Sequence, residues 1–100
     1  MGVTRIPGDG APQTAGAVES ELRDAGLAPR SWSNPPGHVY GSHEHEYHKR
    51  LVCVAGSITF HTPGGDVALG PGDRLELEPH TPHSASVGPD GVTCVEAPVR

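Results

Sequence analysis

Residues 37–56 read GHVYGSHEHEYHKRLVCVAG, and this stretch decides the fold. It holds four of the seven histidines of the chain and ends in the apolar run LVCV before a glycine. Side chains two residues apart on a strand point to the same face, so His43 and His45 project together, on the face that Lys49 shares. We expect this face to line the interior of a barrel.

The alternation of apolar and polar residues continues beyond this stretch, and Gly/Pro-rich turns interrupt it at regular spacing. The strands that it predicts cover residues 51–54, 57–60, 67–69, 74–78, 83–87 and 92–96. Glycine and proline together make up a quarter of the chain, with 14 and 11 residues, and this density disfavours a helical bundle. The pattern predicts an all-β fold, a small antiparallel β-barrel or jelly roll.

The N-terminal part follows a different pattern. Residues 1–13 show no periodicity and predict a flexible arm. Val18, Leu22 and Ala25 then recur at helical spacing, which predicts a short helix over residues 15–26. The chain therefore divides into the arm and one domain over residues 14–100, whose barrel spans residues 30–97.

Length and charge exclude several classes of protein. One hundred residues make a single domain, and a net charge of −5 offers no basic surface to nucleic acid. No apolar run approaches the roughly 20 residues of a membrane span, and the first residues do not resemble a signal peptide. The two cysteines are too few for a disulfide scaffold. We expect a cytoplasmic protein that binds neither nucleic acid nor membranes.

The paired histidines predict a metal site. Two imidazoles that enter a barrel mouth, with a third from another strand, form a facial set of nitrogen ligands. Such a set suits Fe, Ni, Cu, Zn or Mn and leaves coordination positions open for a substrate. The alternative is a histidine-rich surface loop, or core histidines that hydrogen bonds satisfy.

The spacing around the pair resembles the cupin superfamily, in particular its small single-domain members. Gly37, five residues, His43, one residue, His45 and then Gly56 after ten more follow the first cupin motif. Residues 72–83, from Gly-Asp to Thr-Pro-His, follow the second. The resemblance covers residues 32–96 and implies a cupin-type barrel that holds a divalent metal near its mouth.

The resemblance also implies the ligands, and here the chain departs from the family. The implied positions are His43, His45, position 49 and His83, but position 49 is Lys49 where the family has glutamate. A lysine ammonium has no free lone pair and cannot replace a carboxylate ligand. A second departure is His80, at a position that is usually glycine.

Three arrangements of the site remain open. In the first, His43, His45 and His83 alone hold the metal. In the second, His48 swings in through a bulge as a fourth ligand. In the third, the barrel is free of metal and Lys49 binds an anion directly. In the metal-binding cases we expect the Lys49 amine to reach past the metal to an anionic substrate group.

Tyr47, Lys49 and Cys53 are the further residues that we expect to line the pocket. No general acid or base stands out beyond the histidines. Ser57, Thr59 and Ser84 have no base at the spacing of a catalytic triad, which argues against a hydrolase. His61 alternates with Phe60, so we expect it to face solvent.

Two classes of function follow. The first is a metal-dependent enzyme, dioxygenase-like or isomerase- or lyase-like, that acts on a small anionic molecule. The second is a module that binds a metal or a small metabolite without turning it over. We also expect a homodimer, because Val52 and Val54 face away from the pocket and would form an exposed apolar pair.

Overall fold

The computed structural model describes residues 2–11 and 13–99, so the parts of the predicted arm and domain at Met1, Pro12 and Arg100 lie outside the described residues. One helix and seven strands make up the described fold. They are β1 (Val3–Ile6), α1 (Ala15–Asp24), β2 (Arg30–Asn34), β3 (Val39–His43), β4 (His48–Thr62), β5 (Gly65–Leu69), β6 (Arg74–Leu77) and β7 (His83–Val99). The predicted all-β fold with one short N-terminal helix is confirmed.

All strand pairs are antiparallel, and β4 and β7 form the spine of the fold. The sheet runs in the order β1-β6-β4-β7-β2, with β3 added to β7 and β5 added to β4. The first half of β4 pairs with β6 and the last part of β7, whereas its second half pairs with β5 and the start of β7. Each long strand thus serves both ends of the jelly roll.

Two predicted turns lie within continuous strands as irregularities of register. The sequence predicts breaks at residues 55–56 and 88–91, but β4 and β7 each run through. Instead, the register shifts on both sides of the Ala55–Gly56 pair: β4 has one extra residue at the first shift, and residues 88–91 of β7 lie between the partners at the second. Gly56 has φ +73°, and a Cβ there would lie 2.0 Å from the Gly91 carbonyl oxygen. Only glycine fits at this position, because the backbones of β4 and β7 approach too closely for a side chain.

The two faces of β4 pack into two cores. Inward residues such as Leu51 and Cys53 join the barrel core. Val52 and Val54, predicted to be exposed, are buried beneath α1 with Val18, Leu22, Val95 and Ala97. The prediction of exposure is therefore wrong, because the apolar stripe of the helix covers this face. Because this valine pair is buried within the chain, it no longer supports a homodimer, which stays a prediction.

The helix begins and ends with ordinary capping chemistry. The Thr14 hydroxyl accepts a hydrogen bond from the Ala17 amide, which satisfies one of the free donors of the first turn. The helix ends at Asp24, two residues before the predicted end, because Gly26 has φ +85° in the turn that follows. Within residues 2–11 and 13–99, no helix is long and apolar enough to cross a membrane.

The predicted flexible arm contains a strand. Val3–Ile6 pairs with β6, and Val3 packs against the barrel core. The carboxylate of Asp73 holds both this strand and the segment that follows it. It accepts hydrogen bonds from the Arg5 side chain at 2.9 Å and from the Gly8 amide at 2.8 Å. A four-residue edge strand is too short to produce a clear period, so sequence pattern alone did not reveal it.

Candidate metal centre

Three imidazoles converge where β3 ends and β7 begins. His43 and His83 are direct partners in the β3–β7 register, and His45 follows in the loop after β3. The ring centroid of His83 lies 4.3 Å from that of His43 and 5.1 Å from that of His45. One ligand nitrogen from each ring lies within 4.8 Å of the others. The structure thus brings together the three histidines that the sequence analysis named as ligands.

Backbone carbonyls fix the orientation of two of these rings. His43 Nδ1 lies 2.8 Å from the Gly41 oxygen, and His83 Nδ1 lies 2.9 Å from the Thr81 oxygen. A carbonyl can only accept, so each Nδ1 carries the proton and each Nε2 keeps its lone pair. This is the second contact that metal-bound histidines usually make.

Two of the rings are held in the neutral form. Burial, together with the charges of Lys49, His83 and His43, lowers the pKa of His45 to about 4. Burial also lowers the pKa of His83. A metal binds the neutral ring, so little proton release is needed at neutral pH. The chemistry of this donor set fits a metal ion, and imidazole nitrogens favour transition metals over Mg²⁺ or Ca²⁺.

A cavity of about 230 Å³ opens beside the histidines. Its wall is mainly apolar and aromatic, with a few charged groups. The apolar lining residues are Trp32, Tyr40, Leu51, Ile58, Phe60 and Ala85, and the polar ones are Arg30, His43, Lys49, His83 and Glu96. An apolar chamber with a few convergent polar groups is the usual form of a small-molecule site.

Lys49 enters this cavity paired with a carboxylate that the sequence analysis missed. Lys49 is 8% exposed, and its Nζ lies 3.2 Å from Glu96 Oε1. The indole nitrogen of Trp32 donates to the same oxygen at 2.7 Å. The sequence of the last strand does indicate this residue, because alternation places Glu96 on the same inward face as Val92 and Cys94. Only the register between β4 and β7 shows that it meets Lys49.

The remaining predicted residues lie elsewhere. His48 is not brought to the cluster: its Nε2 lies 2.8 Å from Glu76 Oε1, which corrects the proposal of a fourth ligand. Strand alternation explains this, because no bulge turns His48 inward. Tyr47 is 40% exposed, with its ring 5.0 Å from that of His45. Neither Tyr47 nor Cys53 lines the cavity as the described residues define it, and Cys53 is fully buried in the barrel core.

Sequence comparison gives a family match over most of the chain and one partial relative. The model of the AraC-like ligand binding domain matches residues 16–95. Quercetin 2,3-dioxygenase of Bacillus subtilis (strain 168) is 38% identical over 55 residues, which cover 54% of this chain and 16% of that protein. The chain therefore spans only a small part of this curated relative.

Solved structures share the fold. A structure of DMSP lyases matches with a TM-score of 0.69 and 25% identity, over 74% of this chain and 38% of that one. A cupin-2 domain containing protein from Shewanella frigidimarina NCIMB 400 matches with a TM-score of 0.64 and 11% identity, over 74% and 71% of the two chains. With the jelly roll and the family match, these findings show that the chain has a cupin fold and belongs to the family of AraC-like ligand binding domains.

Proposed function

We propose that this domain binds a divalent transition metal (Fe, Ni, Zn, Mn or Cu) through His43, His45 and His83, and that it acts as a metal-dependent enzyme on a small anionic molecule. The observation that carries the proposal is the convergence of three imidazoles, two of them oriented by backbone carbonyls, at an apolar cavity. Dioxygenase-like chemistry and isomerase- or lyase-like chemistry both suit such a site.

The metal would act as a Lewis acid that polarises a bound oxygen atom and would leave open positions for the substrate. The protein contributes the surroundings. Trp32, Tyr40 and Phe60 line the cavity with mainly apolar surface, which would hold water weakly. Less water lowers the effective dielectric, so each charge in the cavity acts more strongly on a bound molecule.

The size and charge of the cavity support a small anionic substrate. About 230 Å³ is less than the roughly 300 to 1,000 Å³ of pockets for drug-sized ligands. Glu96 offsets the charge of Lys49, so Lys49 is not a free cation as the sequence analysis expected. Arg30 supplies a further positive charge on the wall, and a bound divalent metal would add to it. The balance favours a carboxylate or another anion.

The relatives support the enzymatic alternative. One protein similar to this chain over 55 residues is a dioxygenase, and one similar in structure is a lyase. The family match supports the second candidate, a ligand-binding module without turnover, because that family is described by ligand binding. The two candidates share the same cavity and differ in whether the bound molecule is changed.

Metal analysis of protein without a histidine tag tests the proposal first. We expect one transition metal per chain, lost on replacement of His83 by alanine and retained in the matched control His48→Ala. A fully loaded His83→Ala protein would contradict the site. Oxygen uptake and product analysis with small thiols, diketones and carboxylates then separate the candidates: saturable binding without product favours the binding module.

A further inference from the structure

A second group of chemically active side chains lies on the outer face of the sheet. The Oγ atom of Ser86 lies 2.8 Å from Nε2 of His61. The other ring nitrogen of His61, Nδ1, lies 2.8 Å from Oδ1 of Asp66. A serine hydroxyl, an imidazole and a carboxylate are therefore connected in that order, and the metal site uses none of them.

Strand pairing brings the three residues together. His61 is in β4 and faces Asp66 directly across the β4–β5 hairpin. Ser86 is in β7, on the other side of β4, and is the register partner of Thr59. The neighbouring residues Phe60 and Ala85 point into the barrel core, so alternation turns His61 and Ser86 outward. Ser86 is two residues from Ser84, and only this diagonal register shows that it has a base.

The carboxylate fixes the tautomer of the imidazole. An ionised Asp66 can only accept a hydrogen bond, so Nδ1 of neutral His61 carries the proton. Nε2 then has its lone pair directed at the hydroxyl of Ser86, which donates to it. This is the order of nucleophile, base and orienting group in serine hydrolases, which is recognised by geometry and not by position in the chain.

We propose that Ser86, His61 and Asp66 form a second reactive site, in which Ser86 is acylated by small activated esters. Oγ attacks the ester carbonyl carbon while Nε2 of His61 takes the hydroxyl proton. The bond to the leaving oxygen breaks, and that oxygen receives the proton from His61. Water then attacks the acyl-serine by the same route, releases the carboxylic acid and restores the hydroxyl of Ser86.

The surroundings define the substrate class. Strands β4 and β7 are paired on both sides at these residues, so their backbone N–H groups are used by the sheet. A developing oxyanion would receive little help from them, which restricts the reaction to esters with good leaving groups. The side chains of His61 and Asp66 are 40% and 68% exposed, so the site admits small molecules without closing over them.

The test uses the full chain with EDTA present, so that a bound metal cannot hydrolyse the ester. The probes are p-nitrophenyl acetate and a small fluorophosphonate, with the labelled residue located by peptide mass spectrometry. We expect label on Ser86 of the wild-type protein. We expect the esterase rate to fall by about 100-fold in Ser86→Ala, at the lower end of the usual contribution of general base catalysis. His61→Gln should lose the label, and Asp66→Asn should reduce it.

The matched control is Ser84→Ala, which removes a hydroxyl from the same strand and face and should leave rate and label unchanged. Label spread equally over Ser84 and Ser86 would overturn the proposal. So would an esterase rate that survives in Ser86→Ala but falls in His61→Gln, because the imidazole itself would then be the nucleophile. All four substitutions lie on the outer face, and thermal melting of each variant shows whether a lost signal reflects unfolding.

Discussion

Lys49 Nζ lies 3.2 Å from Glu96 Oε1, and this ion pair spans neighbouring strands at the wall of the cavity. An unpaired ammonium at this place would repel a divalent metal by several kcal/mol at an effective dielectric of about 20. The carboxylate of Glu96 offsets that repulsion. A lysine can therefore stand where the cupin resemblance implies a glutamate ligand, and the histidine cluster can still accept a metal.

Lys49→Glu should tighten metal binding. The change removes the ammonium and adds a carboxylate beside the imidazoles, so the net charge at the site becomes more negative. We expect the dissociation constant to fall by at least about tenfold, which corresponds to about 1.4 kcal/mol. Competition with a chelator of known affinity measures it. Lys49→Met removes the charge without adding a ligand, so its affinity should lie between the two. Equal affinities in all three proteins would show that position 49 does not act on the metal.

Glu96→Gln should destabilise the metal-free protein. It leaves the ammonium of Lys49 in a place where the side chain is only 10% exposed, with no full charge to balance it. Breaking one partner of a buried pair typically costs about 3 kcal/mol. Urea unfolding in EDTA measures the loss. The double variant Lys49→Met/Glu96→Gln should be more stable than the two single effects predict. Strictly additive losses would mean that the pair is not coupled.

The Asp73 carboxylate should make stability depend on acidity. Burial raises its pKa, but hydrogen bonds from Gly70, Gly8 and Arg5 outweigh burial and lower it. Because the folded pKa is below the unfolded one, its contribution is complete above about pH 4 and is lost as the pH falls through the folded pKa. Asp73→Asn should therefore cost about 1.5 kcal/mol at pH 7 and clearly less at pH 3.

Urea unfolding at the two pH values tests this prediction, with exposed Asp90→Asn as the control. A loss of equal size at pH 7 and pH 3 would show that the charge of Asp73 is not what holds the N-terminal segment.

His80→Gly should stabilise the fold. His80 has φ +60°, a left-handed conformation that costs a side-chain-bearing residue about 1 kcal/mol or more. Glycine adopts it freely but loses more chain entropy on folding, so we expect a net gain of about 0.5 kcal/mol. Both variants lose the exposed contact with Glu44 at 3.1 Å, but His80→Ala keeps the backbone strain, so it should not gain stability. The melting temperatures of wild type and the two variants test this prediction. A lower melting temperature for the glycine variant than for wild type would contradict it.

Much of the fold was predictable from residue patterns. Strict alternation in residues 74–78 depends on local geometry alone and predicted a strand, and the resemblance of the histidine and glycine spacing to the cupin motifs implied the barrel. The burial of Val52 and Val54 beneath the helix was not predictable, because a narrow apolar stripe on a helix does not indicate which face of the sheet it packs against. Glycines at positions 56 and 91 signal a turn or a bulge equally well, so two long strands were each predicted as two short ones.

The candidate site was predictable from residue spacing within single strands and from the cupin resemblance, which implied His83 as the third ligand. Alternation along β4 places Lys49 with the inward residues. Its partner Glu96 lies in β7, and only the register between the two strands brings them together. The same holds for Ser86, whose base stands diagonally across two strands. Chemistry assembled within one strand leaves a signal in the spacing of residues, whereas chemistry assembled between strands leaves one only where it follows a motif, as His83 does.

The long pairing between β4 and β7 also determines when parts of the site can form during folding. Synthesis reaches β4 well before β7, so a nascent chain carries β4 without its principal partner. Such non-local pairing is slow, and an unpaired apolar strand is prone to aggregate meanwhile. His83 opens β7, so the third imidazole arrives only with that strand. If the chain binds a metal as proposed, capture by all three histidines is therefore a late step of maturation, and chaperone protection would matter most in the interval before it.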